Sequence, residues 1–127
     1  MPLTITKTVR PNAVWQEMHL QISKNQRVII AADGLWSPEL RPATIVWCGA
    51  DGVYKHAAGE GYLLPGTNVG ALIGRIGSGA AFTIGSRFDR FINQQGVLYL
   101  AMNENPKYNN QAGKLTAQVI LFGDYAP

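Results

Sequence analysis

The strongest pattern along the chain is the alternation of apolar and polar residues. The stretch 14–22 carries its apolar side chains mostly at even-numbered positions, and 114–122 carries them at odd-numbered positions from 115 to 121. Because successive side chains of a strand point to opposite faces, a period of two predicts a strand with one buried face. We therefore predict strands at 14–22 and 114–122, and another at the apolar run 97–102.

Shorter apolar runs extend the same interpretation. Fourteen glycines and seven prolines divide the chain into short segments, few of which could hold a three-turn helix. Four of these segments are predicted strands: 27–32, 71–77, 80–85 and 87–92. Gly74, inside the second of them, indicates a bulge or a close backbone approach. Seven or eight short strands between turns predict an all-β domain, either an antiparallel β-sandwich of two sheets or a small barrel.

The stretch 33–70 departs from this pattern. It is rich in glycine, proline and aromatic residues, which predicts long ordered loops with one short strand near 44–48. The chain shows no internal repeat, linker or low-complexity segment. We therefore predict a single domain over 1–127.

Composition narrows the class of protein. Charged residues make up 15% of the chain and hydrophobic residues 46%, a balance that supports a folded core rather than disorder. The net charge of +3 comes from scattered basic residues, which argues against a nucleic-acid surface. No apolar run could insert into and cross a membrane, and the first 16 residues lack the apolar core of a secretory signal. We expect a cytoplasmic protein, or one exported without a classical signal peptide.

Several kinds of chemistry find no support in the sequence. The single cysteine, Cys48, excludes an intramolecular disulfide, and with only two histidines a Cys/His zinc site is not expected. Cys48 is predicted to be a small buried group beside Trp47. The glycine-rich stretch 74–79 lacks the Lys-Ser/Thr of a phosphate-binding loop, and there is no Gly-x-Ser-x-Gly. We predict that the protein is not an enzyme.

One loop concentrates side-chain oxygens. Six residues with side-chain carbonyl or carboxylate oxygens lie between the predicted strands 97–102 and 114–122: Asn103, Glu104, Asn105, Asn109, Asn110 and Gln111. A hairpin connection explains them as turn-forming residues, with Pro106 fixing a bend. A hard-cation site explains them as calcium ligands, open to neutral oxygens such as sugar hydroxyls. The two interpretations are compatible, and replacing Glu104 in an exposed loop is expected to leave the fold intact.

A second candidate region is the stretch 47–61. It offers Trp47 and Tyr54 as flat apolar surfaces, and Asp51, His56 and Glu60 as hydrogen-bonding groups. Aromatic and polar groups together suit sugars, which have apolar C–H faces and directional hydroxyls. The alternative is a surface loop whose aromatic side chains pack inward.

With these motifs in place, the stretch 70–120 resembles the PA-IL-like, or LecA-type, bacterial galactophilic lectins. The likeness rests on "ALIGRIG", "FTIG", an apolar strand ending in Asn103, a loop with a proline and a tyrosine, and a final alternating strand. It extends more weakly through "AADGLWSPELRP" and "WCGADG". It implies a small jelly-roll-like β-sandwich that binds galactose-containing glycans through one calcium ion and assembles as a homotetramer or homodimer.

The resemblance also implies site residues. Glu104 stands where the family has an aspartate ligand. Lys107 stands at the family position that precedes its tyrosine, which is Tyr108 here, and the loop of this chain is one residue shorter than that of the family. The implied calcium ligands are Glu104, Asn110, Gln111, Asn109, Lys107 and Pro38. The implied sugar contacts are His56, Glu60, Asn105, Glu104 and Asn110.

Two functions from different classes follow. The first is a calcium-assisted, galactose-type lectin made multivalent by oligomerisation. The alternative is a metal-free β-sandwich that serves as an oligomerising structural or protein-interaction domain and has lost the calcium and sugar site. The feature that separates them is whether the oxygens of 103–111 converge on one point.

Overall fold

The computed structural model describes residues 2–40 and 44–123. Ten strands account for the regular structure of this part of the chain, and it contains no helix, hence none that could cross a membrane. The predicted domain limits at residue 1 and residues 124–127, and the loop positions 41–43, lie outside the described residues. The strands are β1 (Pro2–Val9), β2 (Gln16–Ile22), β3 (Gln26–Ser37), β4 (Glu39–Leu40), β5 (Thr44–Ile45), β6 (Leu72–Ile76), β7 (Phe82–Thr83), β8 (Arg87–Ile92), β9 (Gly96–Met102) and β10 (Ala112–Phe122).

The strands form a sandwich. The first sheet has the order β1-β10-β3-β8, the second has the order β2-β9-β6-β7, and all their pairings are antiparallel. The two-residue strands β4 and β5 make a separate small pairing. The predicted all-β sandwich of two sheets is confirmed.

The core lies between the sheets and follows the predicted alternation. On β2, burial alternates along the strand from Gln16 to Ile22, and on β10 the four odd-numbered positions from 115 to 121 are buried. Burying one Val, Leu, Ile or Met side chain stabilises the fold by about 1.5–3 kcal/mol. Trp36 lies in the same cluster, and its ring Nε1 donates a 2.7 Å hydrogen bond to the carbonyl of Gly70.

The described strands depart from the prediction in several places. β1 was not predicted, because its inward positions, which pair with buried β10 residues, include Lys7 and so break the apolar period. β3 continues to Ser37, so the start of the predicted loop 33–70 is wrong; β10 pairs with β3 throughout this extension. β7 is shorter than the predicted 80–85.

The irregularities fall elsewhere than expected. Of the two alternatives at Gly74, the bulge is wrong, because this glycine lies in an unbroken register with β9. A Cβ there would come within 2.7 Å of the Ile84 side chain and 3.3 Å of the Tyr99 carbonyl oxygen, so the position is closely approached. The bulge is in β2, where the register shifts between Glu17 and Gln21 and His19 has a φ of 58°.

The connection between β9 and β10 is not a hairpin. β9 pairs with β2 and β6 in the second sheet, whereas β10 pairs with β1 and β3 in the first. Residues 103–111, called the arch from here on, therefore cross between the sheets. The hairpin interpretation is wrong, because a hairpin would have placed both strands in one sheet. The two strands instead bring their apolar faces to the core from opposite sheets.

Candidate functional site

The arch begins with a buried asparagine. Asn103 is fully buried, and its Oδ1 accepts the backbone N–H of Leu64 at 2.9 Å. Its Nδ2 donates to the carbonyls of Leu64, Thr67 and Asn68 at 2.8, 3.1 and 3.3 Å. The side chain therefore fastens the segment 64–68 to the arch, and its oxygen is committed to the backbone rather than to a ligand.

The next residue is a buried carboxylate. Glu104 has no exposed surface; its Oε2 accepts the backbone N–H of Glu39 at 2.8 Å and the side-chain Nε2 of Gln111 at 3.1 Å. Its Oε1 accepts the backbone N–H of Asn105 at 3.0 Å. The charge is stabilised by N–H donors, as is usual for a buried carboxylate. The interpretation of Glu104 as an exposed loop residue is wrong.

A second carboxylate, that of Glu39, holds the C-terminal part of the arch. The Oε1 of Glu39 accepts the backbone N–H groups of Asn109 and Asn110 at 3.2 and 2.9 Å. The sequence resemblance pointed to this region only through Pro38 as an implied calcium ligand. Glu39 is 65 residues from Glu104 in sequence, and a lone glutamate in a Pro-rich stretch carries no signal of such a contact.

The predicted calcium ligands separate into different environments. Glu104 is buried, Lys107 is exposed, and the carbonyl of Pro38 accepts a 3.1 Å hydrogen bond from the Ser37 hydroxyl. Asn109 and Asn110 are exposed residues held by their backbone. Gln111 turns its amide nitrogen, rather than its oxygen, toward Glu104.

These residues do not present a calcium shell in this arrangement. Calcium takes six to eight oxygens at about 2.3–2.6 Å, whereas the Glu39 and Glu104 oxygens described above meet N–H groups. No group of three or more His, Cys, Asp or Glu side chains is placed to hold a metal ion in residues 2–40 and 44–123. Calcium binding stays a prediction, and it would require Glu104 to exchange its N–H partners for a cation.

The segment 60–62 lies against the arch. A Cβ at Gly61 would lie 3.1 Å from the Nδ2 of Asn105, and the rings of Tyr62 and Tyr108 meet edge to face with centroids 6.4 Å apart. Burial, followed by the negative charge of Glu104, raises the pKa of Tyr62.

The predicted sugar contacts occupy the same neighbourhood in part. Asn105 is half-buried, and its Oδ1 accepts the backbone N–H of Lys107 at 3.0 Å. Glu60 is exposed beside Gly61. His56 is exposed on a turn whose backbone bonds to Val53 and Val69. The role of each in sugar binding stays a prediction.

The aromatic residues of 47–61 do not pack inward. Trp47 is 52% exposed and Tyr54 is 82% exposed, so that alternative is wrong for both. The Trp47 ring lies over Gly113, where a Cβ would come within 2.7 Å of it. Gly113 has a φ of 84°, so both the backbone and the ring favour glycine there.

A cleft opens where the arch faces the turn before β2. It has a volume of about 390 Å³. Its lining residues are Asn12, Ala13, Val14, Pro106, Tyr108, Asn109 and Gln111. Sequence reasoning missed the contribution of residues 12–14, because nothing local indicates that the turn lies beside a loop nearly a hundred residues later.

Cys48 is buried as predicted, although its backbone partner is Trp36, with N–H to carbonyl distances of 2.9 and 3.0 Å. Burial raises the pKa of its thiol to about 11. We expect iodoacetamide at pH 8 to alkylate Cys48 far more slowly in the folded protein than in urea, because the reactive thiolate is disfavoured. Mass spectrometry over time would measure this, and equal rates in both conditions would contradict it.

The fold can now be compared with those of known proteins. The N-terminal domain of EclA, described as a PllA-like lectin, superposes with a TM-score of 0.67 over 92% of this chain and 95% of that chain, at 16% sequence identity. The fold is lectin-like. A scan against protein-family models finds no match, and a search of curated proteins finds none either. The resemblance to lectins thus holds at the level of the fold, and the PA-IL type within it stays a prediction.

Proposed function

We propose that the chain is a non-enzymatic, carbohydrate-binding lectin domain for neutral, galactose-type sugars, with its binding surface at the arch. The observation that carries this proposal is the two-sided construction of the arch. Asn103 and Glu104 anchor it from within through hydrogen bonds to six backbone groups and one side chain. Its other face carries the exposed Asn109 beside Tyr108.

Such an arrangement suits sugar recognition. Amide groups can donate to and accept from hydroxyls, and an aromatic ring can lie against the apolar C–H face of a pyranose. A loop that is already held by buried hydrogen bonds loses little conformational freedom on binding. The lectin-like fold of the EclA domain, a protein whose description names it a lectin, supports the same class of function.

Multivalency belongs to the proposal. Single sugar sites are weak, and joining several in one assembly raises the overall avidity without new contacts. Exposed apolar side chains on the sheets supply candidate assembly surfaces; they include Leu3, Leu35 and Phe91, which are 55%, 61% and 71% exposed. We expect a homotetramer or homodimer, which light scattering at micromolar concentration would measure; a monomer mass would contradict it.

A glycan array tests the sugar class and the metal together. Labelled protein is applied in millimolar calcium and again in excess chelator, and we expect galactose-terminated glycans among the bound ones. Loss of binding in chelator would support the calcium-assisted form that the sequence resemblance implies. Unchanged binding would support direct recognition by the protein.

One observation favours the alternative function. The Glu104 carboxylate is satisfied by internal N–H groups, which is also what a scaffold that has lost its metal site would show. That alternative is an oligomerising structural or protein-interaction domain without a sugar site. An array with no bound glycan in either condition, from protein shown to be folded, would favour it over the lectin.

A further inference from the structure

We propose that the cleft between the turn 12–14 and the arch is the sugar subsite, and that it binds a neutral pyranose without a metal ion. This inference rests on the proposed function, which it makes specific. His56 and Glu60 are not among the lining residues of the cleft. It also uses a wall, residues 12–14, to which neither the sequence nor the fold comparison assigns a role.

The lining of the cleft selects the class of ligand. Its side chains are the apolar Ala13, Val14 and Pro106, the aromatic Tyr108, and three amides. No formally charged side chain lines the cleft, so it offers no opposite charge to an anionic or a cationic ligand. Apolar surface with a few placed amides matches a molecule with C–H faces and hydroxyls, and the volume of about 390 Å³ falls in the range of small-molecule sites.

The amides have defined and available hydrogen-bonding atoms. The Nε2 of Gln111 donates to the Oε2 of Glu104 and to the carbonyl of Tyr108 at 3.1 and 3.0 Å. Both partners are acceptors, so the nitrogen must face them and the oxygen is left as an acceptor for a ligand. The Oδ1 of Asn12 accepts the N–H of Val14 at 3.2 Å, which leaves its Nδ2 as a donor.

Both walls of the cleft are fixed before a ligand arrives. The carbonyl of Asn12 accepts the backbone N–H of Met102 at 3.2 Å, which ties the turn to the end of β9. On the facing wall, Glu39 holds the backbone of Asn109, and Glu104 holds the side chain of Gln111. Preformed walls lower the entropic cost of binding.

The same contacts explain why no metal is needed. In calcium-bridged recognition the cation orients the sugar hydroxyls, and its charge needs carboxylate ligands. Here the buried Glu104 carboxylate orients Gln111 through a hydrogen bond, so the acceptor atom is positioned by the protein itself. The Glu104 carboxylate holds the Gln111 amide in position. It does not itself face the cleft, since the residue has no exposed surface.

The experiment follows backbone amide shifts by two-dimensional NMR during titration with methyl galactosides, methyl glucosides and methyl mannosides, in excess chelator. We expect at least one neutral pyranoside to shift the signals of residues 12–14 and 108–111 together. Adding calcium is expected to leave the affinity unchanged. An affinity that depends on calcium, or shifts confined to residues near His56, would overturn the proposal.

Two variants test the walls separately. Asn109→Ala removes an amide from the cleft and keeps the backbone N–H that Glu39 holds; we expect about a fivefold or greater loss of affinity, as for one lost hydrogen bond. Val14→Arg places a long side chain at a position that is already 57% exposed, and should abolish binding by filling the cleft. Wild-type affinity in both variants would overturn the proposal.

Matched controls lie outside the cleft. Asn93→Ala removes another exposed asparagine, and Gln95→Arg introduces an arginine at an exposed residue; both should bind as the wild type does. If Val14→Arg fails to fold, Asn109→Ala still decides the question. A loss of binding in Asn110→Ala, with full binding in Asn109→Ala, would overturn the cleft in favour of the predicted calcium ligand.

The array and the titration distinguish a failure of the cleft from a failure of the lectin function. Glycan binding on the array that survives both Val14→Arg and Asn109→Ala would overturn the cleft and leave the lectin function standing. Absence of binding to any glycan, with or without calcium, would overturn the lectin function and the cleft with it.

Discussion

Replacing Glu104 with glutamine should lower the free energy of unfolding by about 2–4 kcal/mol, because the change leaves a buried N–H donor facing an amide NH₂ group. Both carboxylate oxygens accept hydrogen bonds, so whichever oxygen becomes nitrogen, at least one donor loses its acceptor. The residue has no exposed surface through which water could replace that acceptor. Urea unfolding followed by tryptophan fluorescence would measure the difference.

Glu17→Gln is the control for this measurement. Glu17 is an exposed carboxylate on β2 whose partner is the exposed ring of His19 at 3.5 Å, so its replacement should change stability by less than about 0.5 kcal/mol. If Glu104→Gln is no more destabilising than Glu17→Gln, the carboxylate is not what holds the arch. A calcium-dependent rise in wild-type stability would instead show that a cation can replace the N–H donors.

Replacing Asn103 with alanine should have the largest effect on stability, a loss of about 3–5 kcal/mol. The change removes four hydrogen bonds: the N–H of Leu64 loses its acceptor, and the three carbonyls of the segment 64–68 each keep only a backbone N–H donor. Asn103 is fully buried, so a cavity is left as well. Urea unfolding would measure the loss, and hydrogen exchange at Leu64 should accelerate more than exchange in β10.

Asn103→Asp refines this test. Aspartate keeps the shape and the acceptor oxygen but cannot donate when ionised, so three carbonyls would face a negative charge. We expect it to be at least as destabilising as alanine at pH 7. Asn93→Ala, at an exposed asparagine, is the control and should be nearly neutral. A stable Asn103→Asp protein would show that the segment 64–68 does not depend on this side chain.

These expectations change how the polar loop is understood. From the sequence, a concentration of oxygens with one carboxylate indicated either turn chemistry or a cation site. In the structure, the oxygens of the buried Asn103 and Glu104 accept N–H groups, and Asn109 and Gln111 line a cleft. The loop is therefore organised around an internal anion, with Glu39 as a second carboxylate that local sequence did not indicate.

The elements with a clean period of two were predictable. The buried faces of β2 and β10 follow directly from the residues, because alternation is a property of each strand alone and does not depend on which strand lies next to it. β1 escaped prediction for the same reason. Its inward-facing Lys7 breaks the local period, and only the pairing of β1 with residues 115–122 of β10 makes the segment a strand.

By itself, the sequence determined the all-β class, most strand positions and the loop that carries the candidate site. Only the tertiary structure decided that this loop crosses between sheets, that Glu104 is buried against Glu39, and that residues 12–14 form the second wall of the cleft. The physical reason is the separation along the chain of the residues involved. The periodicity of a strand is determined by residues adjacent in sequence. The partner of a buried charge and the walls of a cleft depend instead on which distant segments the packing of the two sheets brings together.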